Sequence, residues 1–182
     1  FALSVARDRV LHVEHIELLT PAARWIRNFA FGKTLLGGNV RFWGGARPRA
    51  TSPAHANIAR FQRIIDAVGV PDDLEVERCT PSNLAVQLAY PDGVAIGLDC
   101  RMEEGLERNL EMVLEFDEGI VRQQARQLFL DGEEVELEPM EGLFQADQLA
   151  ATASILDGAE SYIPMEQVLD GLSVADLVMG VS

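Results

Sequence analysis

The feature that most constrains the fold is a change of hydrophobic period near residue 70. Before it, apolar residues recur at helical spacing, namely Ile58, Phe61, Ile64, Ile65 and Val68. That stripe stops at Gly69, with Pro71 just beyond. After it, apolar residues alternate with polar or small ones, first in Leu74 and Val76 and then in Leu84, Val86, Leu88 and Tyr90. Because helices repeat every 3.6 residues and strands every two, the pattern predicts a helix followed by a long run of strands.

Turn sequences divide this second region into separate strands. Pro91-Asp92-Gly93, Asp117-Glu118-Gly119 and Asp131-Gly132 are typical of tight turns. The alternating segments between them are 74–77, 84–90, 94–98, 110–116, 120–124, 127–130 and 135–137. We therefore expect residues 72–138 to form most of one antiparallel sheet with an apolar face and a strongly acidic face.

Helices are predicted on both sides of that region, so the fold class is α+β. Thr20-Pro21 is typical of a helix start, and the helix should end near Gly32. A second helix should run from Pro53 to Val68, and two more should occupy 143–156 and 165–179. We expect the last three to cover the apolar face of the sheet, which needs a partner layer. Further strands are predicted at 10–16 and 39–43.

The net charge of −14 is unevenly distributed. Residues 1–70 carry a formal charge of +6 and residues 71–182 carry −20. The acidic majority makes a nucleic-acid partner unlikely, because phosphate binding needs a basic surface. The basic first part could instead face an anionic small molecule or an acidic protein surface. No apolar run reaches the roughly 18 to 20 residues needed to span a bilayer.

The common catalytic and cofactor motifs are missing from the sequence. No G-x-G-x-x-G or G-x-x-x-x-G-K-[ST] occurs, so the chain has no recognisable nucleotide-binding segment. In a strand, His12 and His15 of the His-Val-Glu-His segment would face opposite sides, which argues against a metal site. Cys79 and Cys100 fall on predicted strands without zinc spacing and are expected to be reduced thiols, which fits a reducing compartment.

Arg60 and Arg63 are the strongest candidates for ligand binding. At i and i+3 they lie on one side of the second helix, beside its apolar stripe. Two guanidinium groups so placed could bind a dicarboxylate. The alternative is a pair of solvent-facing arginines with little energetic weight.

Several segments together resemble the biliverdin reductases, within the wider glucose–fructose oxidoreductase and inositol dehydrogenase superfamily. They are residues 10–19, 32–42, 59–69, 142–147 and 174–177. The resemblance spans nearly the whole chain and implies a C-terminal sheet domain at 20–182, of about six largely antiparallel strands with helices on one face. Residues 1–19 would be the end of a nucleotide-binding domain and a linker.

The resemblance also implies a chemistry, which is NAD(P)H-dependent reduction of the central methine bridge of biliverdin. Arg60 and Arg63 would lie near the bilin, and Glu14 and Glu17 would lie at the floor of the cleft between domains. The family's glycine-rich first half has no counterpart in these 182 residues. A hydride cannot be transferred without a cofactor held at contact distance, so we expect no catalysis and no cofactor in this chain alone.

Two functional hypotheses follow. The first is a non-catalytic binding or scaffolding subunit of a larger assembly in the cytoplasm or the plastid stroma. The bilin link suggests a pigment-related or photosynthetic assembly. The second is the ordered part of a bilin reductase whose nucleotide domain lies upstream. If bilin binding persists, Arg60 and Arg63 should both point into the cleft; in a scaffold they should pair with carboxylates.

Overall fold

The computed structural model describes residues 12–45, 52–140 and 142–180. The predicted helix end at 1–9, the start of the strand at 10–16 and part of the loop before residue 53 lie outside those ranges. The described strands are β1 Leu35–Gly44, β2 Asp73–Thr80, β3 Asn83–Ala89, β4 Ala95–Met102, β5 Asn109–Phe116, β6 Gly119–Gln124, β7 Gln127–Leu130 and β8 Glu133–Glu134. The α-helices are α1 Pro21–Ala30, α2 Pro53–Ala56, α3 Ile58–Val68, α4 Leu143–Leu156 and α5 Met165–Val178, and 3-10 turns lie at Ile16–Leu19 and Pro91–Gly93.

The strands form one sheet in the order β2-β3-β4-β1-β5-β6-β7-β8. Strand β1 lies parallel to β4 and antiparallel to β5, so Val40 is paired with Leu98 on one side and Met112 on the other. The other pairs are antiparallel. The predicted α+β fold with a largely antiparallel open sheet is confirmed. It has eight strands rather than about six, because the turn at Asp131-Gly132 adds a short hairpin at one edge.

The apolar face of the sheet is buried, as the alternation predicted. Met112 and Leu114 lie within the core, where α1 and α3 cover them with Ile26, Phe61 and Ile64. Leu110 is only partly buried at the sheet edge. The solvent face carries both signs of charge, with acids in excess. Its carboxylates include Glu75, Asp99, Glu111 and Glu115, and its arginines include Arg41, Arg101 and Arg122.

The second predicted helix is divided into α2 and α3 by Asn57, which has non-helical backbone angles. Its side chain is buried and donates to the carbonyl of Pro53 at 2.9 Å and to Sδ of Met102 at 3.3 Å. An amide that bonds the backbone of the preceding turn competes with continuous helix, which explains the break.

Helix α4 does not cover the sheet, so that prediction was wrong. It packs on the 3-10 turn Ile16–Leu19, and the main core contains none of its residues. Its apolar residues are spread around the whole helix, so their pattern does not indicate which side is buried. The exposed large side chains on α4 are Phe144, Leu149, Ile155 and Leu156.

The strand predicted at 10–16 is also absent over its described part, residues 12–16. The backbone amide of His15 donates to the Tyr162 hydroxyl at 2.9 Å rather than to a neighbouring strand. A short apolar run forms a strand only where a partner strand is available, and here the sheet edge lies elsewhere. Among the described residues, no helix is both long and apolar enough to cross a membrane.

Helix α5 packs on α3 and β2 and contributes Val174, Ala175 and Val178 to the main core, as predicted. Gly171 faces the buried Gln62 of α3, whose amide nitrogen donates to the carbonyls of Gln167 and Val168 at 3.0 and 3.2 Å. A side chain at Gly171 would overlap this amide, since a Cβ there would lie 1.9 Å from the Gln62 nitrogen. The two helices therefore approach closely at this one point.

Candidate functional site

The candidate site lies at one end of the central strands, where β1 ends, β5 begins and β6 ends. These ends coincide because β5 runs antiparallel to both of its neighbours. The 3-10 turn Ile16–Leu19 and the N-terminal half of α3 close the site from the helical side. Together they enclose a cavity of about 410 Å³. Its apolar lining includes Phe42, Leu110, Met140 and Leu143.

Arg60 is a buried cation of this cavity. Its side chain is 4% exposed and makes a two-pronged ion pair with Glu17, in which the Nη2 to Oε1 distance is 2.9 Å. The guanidinium lies over the ring of Phe42, 4.1 Å from its centroid. Such a stack stabilises a cation that has left water. Its Nε atom is buried and finds no hydrogen-bond partner in the described parts of the chain.

Glu17 is shared by a second arginine at the cavity mouth. Arg108 is largely exposed, donates to Oε1 of Glu17 and lies 5.8 Å from the Phe42 ring centroid. One carboxylate therefore neutralises two guanidinium groups, and the cluster keeps a net positive charge. An anionic ligand entering the cavity meets this residual charge.

Arg63 is buried and bonded to neutral oxygens. It donates to the carbonyl of Glu17 at 3.0 Å, to Thr20 Oγ1 at 3.1 Å and to Gln123 Oε1 at 2.7 Å. Burial lowers the pKa of Arg63 to about 10, against the opposite effect of the nearby carboxylates Glu17 and Asp66. It therefore remains a cation at neutral pH, and protein oxygens rather than water accept its hydrogen bonds.

The structure brings together three of the four predicted site residues. Arg60, Arg63 and Glu17 line one cavity, whereas Glu14 is exposed and does not line it. The solvent-facing alternative for the two arginines is wrong, since both are buried. Arg60 pairs with a carboxylate of its own chain, as expected for a scaffold, whereas Arg63 does not. The pairing of the two arginines therefore does not decide between the two hypotheses.

Sequence reasoning missed Arg108, Arg126 and Phe42. They lie in a loop, at a turn and at a strand end, far from Arg60 along the chain. No local spacing relates them, because only the sheet pairing brings those positions to one edge.

A second cavity of about 690 Å³ adjoins the first. The two share Thr20, Gln123, Ala125, Arg126 and Met140 in their linings. The far wall of the second cavity carries the acidic segment Glu134–Glu138. The pair of cavities thus runs from a basic end to an acidic end.

The His-Val-Glu-His segment makes hydrogen bonds to α4 and to the segment that follows it. His12 Nε2 lies 2.9 Å from Asp147 Oδ1, and the same oxygen accepts from the Tyr162 hydroxyl at 2.6 Å. Burial lowers the pKa of His15, partly offset by nearby carboxylates. No group of three or more potential metal ligands occurs in the parts of the chain that the structure describes. These bonds tie the segment before residue 16 to α4.

The described residues do not fit a dinucleotide. Strand β4, one of the two parallel strands, leads through a turn into β5 rather than into a helix. Helix α2, which follows the other parallel strand, is a single turn capped by the Ser52 side chain. A dinucleotide site of the usual kind needs a glycine-rich turn joining a strand to a longer helix.

The chain is similar in sequence to the C-terminal part of biliverdin reductase A from Mus musculus, with 26% identity over 164 residues. The alignment covers 82% of this chain and 55% of the mouse protein, so the chain spans about half the length of that relative. No protein-family model matches the chain.

Solved structures show the same fold. Biliverdin reductase from Synechocystis sp. PCC 6803, in complex with biliverdin and NADP+, has a TM-score of 0.84 at 22% identity, over 99% of this chain and 65% of that one. UDP-N-acetylglucosamine 3-dehydrogenase from Acidithiobacillus ferrooxidans has a TM-score of 0.82 at 15% identity, over 99% of this chain and 64% of that one. The predicted resemblance to the C-terminal domain of these oxidoreductases is confirmed.

Proposed function

We propose that this chain binds a bilin, an open-chain tetrapyrrole with carboxylate side chains, in the cavity around Arg60, as the substrate-binding part of an NAD(P)H-dependent bilin reductase. The observation that carries the proposal is the buried Arg60 stacked on Phe42 inside a cavity of about 410 Å³. The sequence likeness to biliverdin reductase A supports the same ligand class.

The cavity combines the two properties that a bilin needs. Phe42, Leu110 and Met140 offer apolar contact to flat pyrrole rings. Arg108 at the mouth can exchange its bond with Glu17 for a bond with a ligand propionate, because its side chain is exposed. Arg60 is enclosed and would act on the ligand mainly through its charge.

Reduction requires a nicotinamide held against the bilin, and the described residues do not fit that cofactor. The hydride donor would therefore be bound by a nucleotide-binding domain outside them, with residues 1–19 as its junction to the sheet domain. Under this proposal the chain alone binds the ligand without reducing it.

The test is a titration of the chain with biliverdin, followed by absorbance. Met140 is exposed and lines both cavities, so Met140→Glu places a repelling carboxylate at the mouth with little effect on the core. We expect Met140→Glu to weaken binding at least about tenfold. The matched control is Ile120→Glu, which adds the same charge on the solvent face of the sheet.

Two results would contradict the proposal. One is no spectral change on titrating the native chain. The other is equal affinity in native chain and Met140→Glu, because the ligand would then lie elsewhere on the protein.

A second candidate function is the non-catalytic binding or scaffolding subunit. Two observations favour it, namely the pairing of Arg60 with the chain's own Glu17 and the exposed apolar side chains of α4. Exposed apolar patches commonly mark protein contacts. The same titration separates the candidates, because a scaffold that has lost the ligand site would leave the biliverdin spectrum unchanged.

A further inference from the structure

We infer that Arg126, at the turn between β6 and β7, binds a carboxylate of the ligand, and that the buried Arg63 positions it through Gln123. The inference rests on the proposed function, since it concerns the same cavity, and assigns the direct contact to a residue that the sequence did not suggest. Arg63 becomes a positioning residue rather than a ligand contact.

Arg126 offers an exposed guanidinium at the site. Its side chain lines both cavities and makes no hydrogen bond or ion pair within the described residues. The other cations differ, because Arg60 and Arg108 share Glu17 and Arg63 is enclosed by neutral oxygens. An entering carboxylate therefore finds at Arg126 a guanidinium that loses no internal partner on binding.

The turn that presents Arg126 is held in a strained conformation. Gln124 pairs with Gln127, so Ala125 and Arg126 are the two central residues of a tight hairpin turn. Ala125 has a φ of 53°, in the left-handed region that an alanine side chain disfavours. Such conformations persist where the surrounding structure enforces them, and they cluster at binding sites.

Two hydrogen bonds hold Ala125 in this conformation. The amide of Ala125 donates to the carbonyl of Leu110 at 2.8 Å, and the carbonyl of Ala125 accepts from Nε2 of Gln123 at 2.9 Å. The N–H of Ala125 is thus held by β5, and its carbonyl oxygen is held by the Gln123 side chain of β6.

The orientation of Gln123 is in turn fixed by Arg63. An arginine side chain only donates hydrogen bonds, so the amide oxygen of Gln123 must face Arg63 and its nitrogen must face Ala125. Gln123 is itself 6% exposed, which leaves it no alternative partner in water. The order of contacts is therefore Arg63, Gln123, Ala125 and then Arg126.

The acidic wall of the second cavity limits where the carboxylate can bind. Glu134 and Glu136 lie beyond Arg126 and repel an anion that moves further along the groove. Attraction at Arg126 and repulsion behind it fix the position of the ligand's acidic group at the boundary between the cavities.

The experiment compares biliverdin with its dimethyl ester, which lacks the carboxylate charges, against native chain, Arg126→Gln and Arg122→Gln. Arg122 is an exposed arginine of β6, the strand that leads into that turn, and it points to the solvent face of the sheet. We expect Arg126→Gln to weaken biliverdin binding about tenfold or more and to leave ester binding unchanged, whereas Arg122→Gln changes neither.

Gln123→Met tests the positioning role, because it removes both side-chain hydrogen bonds at similar volume. It should weaken biliverdin binding in the native background and add nothing further in the Arg126→Gln background. Unchanged biliverdin affinity in Arg126→Gln, or an equal loss for acid and ester, would overturn the inference while leaving the proposed function standing. Failure of the native chain to bind either compound overturns both.

Discussion

Removing the carboxylate of Glu17 should destabilise the fold more than removing any exposed glutamate. Glu17→Ala leaves Arg60 buried without its counter-ion, since the Arg60 side chain is 4% exposed and Glu17 is 22% exposed. Breaking a buried pair by deleting one partner costs about 3 to 5 kcal/mol. The ring of Phe42 remains beneath the guanidinium, so we expect the lower end, about 3 kcal/mol.

The measurement is urea unfolding followed by circular dichroism, with the denaturant slopes of the variants compared before their free energies of unfolding. The matched control is Glu138→Ala. Glu138 also pairs with an arginine, Arg24, at 2.7 Å, but both side chains are exposed. That variant should lose no more than about 1 kcal/mol.

Rescue by a small anion provides a further check. In Glu17→Ala the space beside Arg60 and Arg108 should accept propionate, so added propionate should raise the free energy of unfolding of the variant and leave that of the native chain unchanged. The reasoning is refuted if Glu17→Ala costs no more than Glu138→Ala. Such a result would mean that Arg60 reaches water without its carboxylate.

Three other predictions concern packing and titration. Gly171→Ala should destabilise the fold by about 2 to 4 kcal/mol, measured by urea unfolding, because the new Cβ displaces the buried amide of Gln62. Burial raises the pKa of Cys100 from its ordinary 9.0 to about 12. Between these pH values the folded state keeps a thiol proton that the unfolded state loses. The free energy of unfolding should therefore fall between pH 9 and 12, by up to about 1.4 kcal/mol per pH unit from this thiol. Cys100→Ala should flatten that slope and Cys79→Ala, at an exposed thiol, should not. Tyr162→Phe should lower the free energy of unfolding by about 1 to 2 kcal/mol, since its hydroxyl donates one partly buried hydrogen bond to Asp147 and accepts another from the His15 amide.

The elements that the sequence predicted well are those with strong local signals. Thr20 caps α1 through its side-chain oxygen, which accepts from the Ala23 amide at 3.2 Å. Helix α4 has the predicted bounds, and α5 ends one residue earlier than predicted. In each case the apolar residues and the flanking cap or turn residues that mark the ends of the helix are close in sequence, so no distant contact was needed to place it.

The positions of the elements relative to one another were harder to predict than the elements themselves. The sequence did not show that β1 lies in the middle of the sheet beside β4 and β5, or that α4 lies off the sheet. Those arrangements depend on which apolar faces meet, and many pairings satisfy the same local pattern.

For the candidate site, too, the sequence indicated which residues to consider but not how they are arranged. From the sequence alone, Arg60 and Arg63 were identified as two cations on one side of a helix, and the resemblance added Glu17. Only the tertiary structure decided that Arg60 and Arg63 are buried, that Glu17 neutralises one of them, and that Arg126 lies at the mouth with no side-chain partner among the described residues. The physical reason is that burial and ion pairing depend on groups brought together from distant parts of the chain, whereas spacing along a helix depends only on neighbours in sequence.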